Sequence, residues 1–264
     1  MYNSTAGSNY DVTAAFDRQN PLASRGFYSS KHNISVNTSL AETFFGEDLE
    51  TRLGITFVAR AGRPYSLTFT GSGIFNDSAS GADNALAYIP TGPNDPNVVF
   101  LPTLSSAGAV LRTAQQNAAD LDSFISSLPC ADEARGRSIE RNTCSNDWYY
   151  DMDLTLSQDI PGPGHFFGWD DKIKLFATVD NFLNLLDDSW NVQRRRDFGG
   201  RQDIATAGRS AVVVSGTTLA AAVPGVDSQG RYVISGFTNT FDTDNQINVS
   251  SSVWRLKVGI SYDF

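Results

Sequence analysis

The sequence has no run of about 18 apolar residues, the length a membrane-spanning helix requires. Its most apolar stretch, Ala211 to Val226, is broken by Ser215, Gly216, Thr217, Thr218 and Pro224. The first residues, MYNSTAGSNYDV, have no basic start, apolar core or cleavage site, so they do not read as a secretory signal. Histidine is limited to His32 and His165 and cysteine to Cys130 and Cys144. That leaves no Ser-His-Asp set worth assembling and no four-cysteine zinc site, and the expectation is a protein that is not an enzyme, with no cofactor and no metal. Basic residues are outnumbered, 20 Lys and Arg against 29 Asp and Glu, for a net charge of −9. So acidic a chain is a poor partner for nucleic acid, whose binding rests on cations that neutralise phosphates. Membrane β-barrels are untouched by these absences, because their hydropathy averages out over alternating positions.

Period-two alternation is what the sequence does have. In SVWRLKVGISYDF, Trp254, Leu256, Val258, Ile260, Tyr262 and Phe264 share one face, opposite Arg255, Lys257, Ser261 and Asp263. From Ser252 to Phe264 such a strand is roughly 40 Å long, against about 17–20 Å for an ordinary globular strand. Tilted at about 45°, that length crosses a hydrocarbon layer of ~30 Å. Four further segments repeat the design. Trp148, Tyr150, Met152, Leu154 and Leu156 oppose Tyr149, Asp151, Asp153, Thr155 and Ser157. Ile173, Leu175, Ala177 and Val179 oppose Lys172, Lys174, Thr178 and Asp180. Leu53, Ile55, Phe57, Ala59, Tyr65, Leu67 and Phe69 share one parity, and Ile34, Val36 and Leu40 another. The pattern predicts spanning strands near 31–44, 51–69, 147–160, 172–183 and 252–264.

The connections alternate in length. FFGEDLE and PGPGHFFGWDD are tight, whereas 70–146 and 184–251 are long. Short periplasmic turns and long extracellular loops give this rhythm in an outer-membrane barrel, and it places Phe264 at the periplasmic rim. Aromatic residues, among them Phe44, Phe45, Phe166, Phe167 and Trp169, gather near the strand ends, as headgroup-level girdles do. A soluble β-sandwich capped by the same rings is the competing reading; it accounts for neither strand length nor loop alternation.

At this point the residues resemble a family. ETRLGITFVARAGRPYSLTFTG, AYIPTGPNDPNVVF, DLDSFISSLPCADEARGRSIERNTCSNDWYYDMDLTLSQDIPG and KIKLFATVDNFLNLLDDSW are similar, in that order, to the late-barrel region of Oar-like TonB-dependent outer-membrane receptors. The resemblance covers Ile34 to Phe264. It implies the C-terminal portion of an all-β, antiparallel, up-and-down transmembrane barrel, with about five spanning strands and residues 1–30 in an extracellular loop. It further implies an outer-membrane transporter of a Gram-negative bacterium that takes up or exports a specific large ligand, with its C-terminus periplasmic. The expected partners are outer-membrane lipid and lipopolysaccharide, the barrel-assembly machinery through Trp254 to Phe264, and TonB through a plug domain that these residues do not include. A passive porin-like channel or an adhesin barrel is the alternative.

Within the loops, Leu111, Ala114, Ala118, Leu121, Phe124, Ile125 and Leu128 recur at helical steps and predict one helix over 106–128, capped by Ser105 or Ser106. It reads as a lid over ligand or, with more weight, as a helix packed on the barrel mouth or a neighbouring loop. Cys130 and Cys144 are expected to form a structural disulfide, with a metal pair or free thiols as alternatives. Arg194, Arg195 and Arg196 are the ligand-binding candidates, able to hold an anion or a lipopolysaccharide phosphate; a solvated run balanced by Asp187, Asp188 and Asp197 is the blander reading. NDSASGADN from Asn76 and DTDNQ from Asp242 lack the spacing of a calcium loop. Gly62, Arg63 and Pro64 mark a bulge or the point where a strand leaves the membrane. Asp151 and Asp153 read as lumen-lining charges balanced by Arg52, Arg60, Lys172, Lys174, Arg255 and Lys257.

Overall fold

The computed structural model describes residues 14–16, 22–46, 48–71, 85–196, 201–238 and 240–264. Strand makes up 45% and helix 16%, so the chain is mainly β. It divides into two compact units. A strand unit comprises Ser30–Gly62, Asp147–Arg194 and Ile247–Phe264, and an insert unit comprises Met1–Ser29, Arg63–Asn146 and Arg195–Gln246. Two five-stranded sheets supply ten strands in chain order: β1 (Asn33–Glu42), β2 (Thr51–Arg60), β3 (Pro64–Gly71), β4 (Val98–Phe100), β5 (Cys144–Ser145), β6 (Tyr149–Pro161), β7 (Lys172–Asp180), β8 (Arg201–Ala207), β9 (Tyr232–Phe237) and β10 (Arg255–Asp263).

The strand unit is an antiparallel meander in the order β1-β2-β6-β7-β10. Its register is unbroken, so partners directly opposite each other share a face all the way across. One row reads Leu40, Leu53, Leu156, Ala177, Val258, and the next reads Thr38, Ile55, Leu154, Val179, Leu256. Five separate alternations therefore merge into one apolar face. That face is bare: Leu156, Leu175, Leu256, Val258 and Ile260 are between 42% and 73% exposed. Leu154, Leu175, Leu256 and Ile260 lie side by side on it and do not meet across an interior. The opposite face is polar, with Lys257 Nζ 2.7 Å from Asp180 and Lys174 Nζ 3.8 Å from Asp159. On that face the Phe176 ring covers Gly259, whose missing side chain makes the room.

The sheet does not close. β1 and β10 are its edges, so the up-and-down antiparallel order expected from the sequence is present and a barrel is not. The strand ends also differ from expectation. β1 spans 33–42 within the predicted 31–44, and β7 stops at Asp180, where Asn181 takes a left-handed turn with φ 53°. β10 starts at Arg255 and not at Ser252, because Val249–Ser252 forms a helical turn.

The largest correction concerns 51–69. β2 ends at Arg60, and Pro64, which has no amide hydrogen for a ladder, opens a new strand in a different sheet. Tyr65, Leu67 and Phe69 keep the parity of β2 but are 2%, 0% and 1% exposed in the core of the insert unit. The same alternation serves a bare face before the break and a buried one after it.

Residues 70–146 and 184–251 are likewise not irregular loops. Parts of both fold with β3 into the insert unit's mixed sheet, ordered β4-β9-β8-β3-β5. β3 and β8 are parallel, as are β4 and β9, while β8–β9 and β3–β5 are antiparallel. Leu67, Ile89, Leu121, Ile125, Ile139, Ile204 and Ile234 fill its core. Helix α1 (Ala114–Ser127) packs on this sheet through Leu121 and Ile125, so it rests on a neighbouring loop's strands. It is shorter than the predicted 106–128. Thr113, not Ser105 or Ser106, caps it: Gln116 N donates to Thr113 Oγ1 at 3.1 Å and Thr113 N to Gln116 Oε1 at 2.8 Å. Residues before it form a hairpin, Thr103–Leu104 with Val110–Arg112, which leaves Leu111 exposed. Further short helices at Pro129–Asp132, Phe182–Leu186, Phe241–Asp244 and Val249–Ser252 were not expected. Cys130 and Cys144 form the expected disulfide, with Cα atoms 5.3 Å apart. Most of 1–30 lies outside the described residues, as do NDSASGADN and Asp197.

Gly208 ends β8 at φ 64°, and a Cβ there would stand 2.5 Å from Val223 O and 2.9 Å from Gly225 N. Both obstacles are backbone and the conformation is left-handed, so Gly208→Ala is expected to destabilise the insert unit by about 2 kcal/mol. The urea midpoint of that unit, followed by hydrogen exchange of the Ile234 amide, measures the loss.

Candidate functional site

The segment DNFLNLLDDSWN, Asp180 to Asn191, turns the chain back on itself at the end of β7 where both long connections leave the sheet. Its asparagines fix the turn. Asn181 N donates to Asp153 Oδ1 at 2.9 Å, and Asn181 Nδ2 donates to Ser252 O at 3.0 Å and Asn191 O at 3.5 Å. Helix α2 (Phe182–Leu186) follows, and from it Asn184 Nδ2 donates to Asp188 O at 3.0 Å and Trp190 O at 2.9 Å. Ser189 donates to Asp187 Oδ1 from Oγ at 2.6 Å and from N at 2.9 Å; these bonds hold the Asp187 carboxyl below the usual carboxylate range. Asn191 repeats the left-handed conformation at φ 53°. A buried backbone carbonyl needs a donor, and here two amide side chains supply it. Trp190 and Asn191 are thereby held in place.

Held there, they face a cleft of about 430 Å³ in the strand unit. One wall is aromatic: Phe57 and Tyr150 project from the apolar side of β2 and β6, and Trp148, just before β6, and Trp190 line the cleft with them. The rings form a ladder, with His32 and Trp148 2° from parallel at 6.0 Å, Trp148 and Tyr150 17° apart at 6.4 Å, and Phe57 and Tyr150 20° apart at 6.4 Å. Leu183 and Val192 add aliphatic surface, and Asp147, Ser189, Asn191 and Arg194 supply polar groups of both signs. Asn191 is 8% exposed and its Nδ2 is buried without a hydrogen-bond partner. A buried donor left unpaired costs about 1–3 kcal/mol.

The arginine run does not form one basic patch. Arg194 is exposed and lines the cleft. Arg196 is 5% exposed in the insert unit, its guanidinium 4.6 Å from the Tyr65 ring centroid and 3.6 Å from that of Phe241. It donates to Gln202 Oε1 at 2.5 Å and to Phe241 O at 2.6 Å, and burial pulls its pKa down. That is a core cation, closed to an external anion. For Arg195 only the backbone is described, in the two-residue strand Arg194–Arg195.

Trp254, Leu256, Val258, Ile260, Tyr262 and Phe264 are all at least 41% exposed. Tyr262 OH donates to Asp171 Oδ2 at 2.8 Å, tying this strand to the turn before β7. Asp151 and Asp153 lie on the polar face opposite Val58 and Thr56, and Asp153 is engaged by Asn181. In DTDNQ, Asp244 accepts from Thr240 Oγ1 at 2.6 Å and Gln202 Nε2 at 2.9 Å and is a structural acceptor. Among the described residues no group of three or more His, Cys, Asp or Glu side chains could hold a metal ion. The insert unit has a cleft of about 420 Å³ beside Asp95 and Arg231, but its charges are spent internally. Asp95 accepts from Thr91 N, Asn97 N and Tyr88 OH, and Arg231 pairs with Asp227 at 2.8 Å.

No protein-family model matches the chain, and no curated protein and no solved structure matches it. Trp190 and Asn191 were missed in the sequence because nothing in DSWN marks a site by itself. The available signal was the spacing of three amides and three acids around one tryptophan, which reads as an ordinary turn until the cleft is seen.

Proposed function

We propose that this chain supplies strands and surface loops of a TonB-dependent outer-membrane receptor, which takes up or exports a specific large ligand. The observation that carries the reading is the bare apolar face of the strand unit, continuous across five strands and backed by a polar face carrying charges of both signs. In water such a face would cost free energy in proportion to its area, whereas in lipid it is at home. The open edges of β1 and β10 cannot remain unpaired in hydrocarbon, so in this reading they pair with further strands of the same barrel. Both long connections leave from the end of the sheet marked by Arg60, Tyr149, Asp180 and Arg255, and both short turns lie at the other end. The disulfide in the insert unit fits an oxidising, extracytoplasmic side.

Cell fractionation followed by gel electrophoresis with and without boiling tests this. The full-length protein is expected in the outer-membrane fraction, extractable only with detergent, with a mobility that shifts on heating as the barrel opens. A monomer that stays in solution without detergent overturns the reading. Transport is tested separately: loss of TonB is expected to abolish ligand-dependent growth or export while leaving the protein in the membrane.

A further inference from the structure

We infer that the cleft built by DNFLNLLDDSWN is a binding site for a pyranose sugar. Flat aromatic surface and a few polar groups of mixed character are what a sugar ring asks for. Its C–H faces lie against aromatic faces, and its hydroxyls both donate and accept. The cleft has Trp148, Tyr150 and Trp190 for the first need and Asp147, Asn191 and Arg194 for the second. Its volume of about 430 Å³ falls in the range of small-molecule pockets.

The two competing occupants fit less well. An acyl chain would set hydrocarbon against the Asp147 carboxylate and the Asn191 amide, polar groups that it cannot hydrogen-bond. A lone anion would find Arg194 but also the Asp147 carboxylate, which repels it. A sugar hydroxyl both donates and accepts, so it suits a wall that carries the Asp147 carboxylate and the Asn191 amide. The site is also made in advance: Asn181 and Asn184 hold the carbonyls of Asn191 and Trp190, so little ordering is left for the ligand to bring about.

Sugar binding stands on the cleft alone. Its source rests on the proposed membrane reading, because Phe57 and Tyr150 are on the apolar side of the sheet, at the end from which the long connections leave. There the sugar would be the headgroup of an outer-leaflet glycolipid.

The experiment titrates the full-length protein in detergent and reads tryptophan fluorescence, since Trp148 and Trp190 are reporters inside the site. The probes are the methyl pyranosides of glucose, galactose, mannose and N-acetylglucosamine, lipopolysaccharide truncated to its inner-core sugars, and phosphatidylglycerol micelles. Saturable binding of any sugar-bearing probe is expected. It should weaken about tenfold in Trp190→Ala and in Asn191→Gly, the loss of one stacked ring or one hydrogen-bonded amide. Glycine preserves the left-handed backbone at 191, and Trp190 is half exposed, so both variants are expected to keep the wild-type heat-shifted mobility.

Saturation by a free pyranoside points to a soluble glycan. Saturation by truncated lipopolysaccharide alone points to the glycolipid. Three results overturn the inference: no sugar-bearing probe saturates, phosphatidylglycerol saturates equally well, or binding is unchanged in both variants. Sugar binding by a protein that fails the fractionation test would sink the membrane reading and leave this one standing.

Discussion

In the proposed membrane reading, Val258→Arg is expected to destabilise the inserted state by about 2–4 kcal/mol, while Ser261→Arg on the same strand is expected to be tolerated. Val258 sits mid-strand on the apolar face in register with Ala177, Leu156, Leu53 and Leu40, and it is 73% exposed. Ser261 is three positions further on and faces the polar side beside Lys174. An arginine facing lipid near the bilayer midplane costs about 2–4 kcal/mol, whereas one on the lumen side has water and counter-charges to meet it. The comparison is internal, because both substitutions add the same side chain to the same terminal strand. Urea titration of the two variants in lipid vesicles, with the heat-shifted mobility as a control for folding, reads the difference. Equal stability of the two would mean that the apolar face is covered by something other than lipid.

Replacing Cys130 and Cys144 together by alanine is expected to destabilise the insert unit by about 3 kcal/mol, the chain-entropy value for a closed loop of this length. The bridge joins the short helix after α1 to β5, which pairs with β3 at Tyr65. Losing it frees the connection that carries Ala134 and Ile139, both buried in the core. Hydrogen exchange should therefore speed up at Ile139, whose amide donates to the Ala87 carbonyl, and at Ala87, whose amide donates to the Leu67 carbonyl. Leu154 in the strand unit should keep its protection. Alanine, with no hydroxyl, avoids adding an unsatisfied polar group at Cys144, which is 1% exposed. Uniform loss of protection in both units would mean that the disulfide acts on the whole chain. Unchanged protection would mean that the core holds this segment without it.

The amide-rich turn after β7 shows how a structural motif and a binding site can share residues. Asn181 and Asn184 satisfy carbonyls that a loop at a sheet end leaves over, and satisfying them sets the positions of Trp190 and Asn191. The arginine run, the most conspicuous charged feature of the same connection, divides instead between two duties. Arg194 lines the cleft, and Arg196 lies against the Tyr65 and Phe241 rings in a core.

Much of the strand unit was legible in the residues alone. Alternation with period two put Leu154, Leu175, Leu256 and Ile260 on one face without any knowledge of their neighbours, because successive strand side chains must point to opposite sides. The order of short and long connections gave the meander, and two cysteines 14 positions apart gave the disulfide. Alternation does not say what the greasy side touches. Tyr65, Leu67 and Phe69 continue the pattern of β2 and end in a water-excluded core, since Pro64 breaks the ladder and a local pattern carries no record of which sheet the next strand joins. The parallel pairing of β3 with β8 and of β4 with β9 joins segments far apart in the chain, and no periodicity encodes it. The cleft has the same origin. Phe57, Trp148 and Trp190 come from three separate stretches and become one wall only when register and turn bring them together. Local sterics set the strands and their faces; contacts between distant segments set the partners.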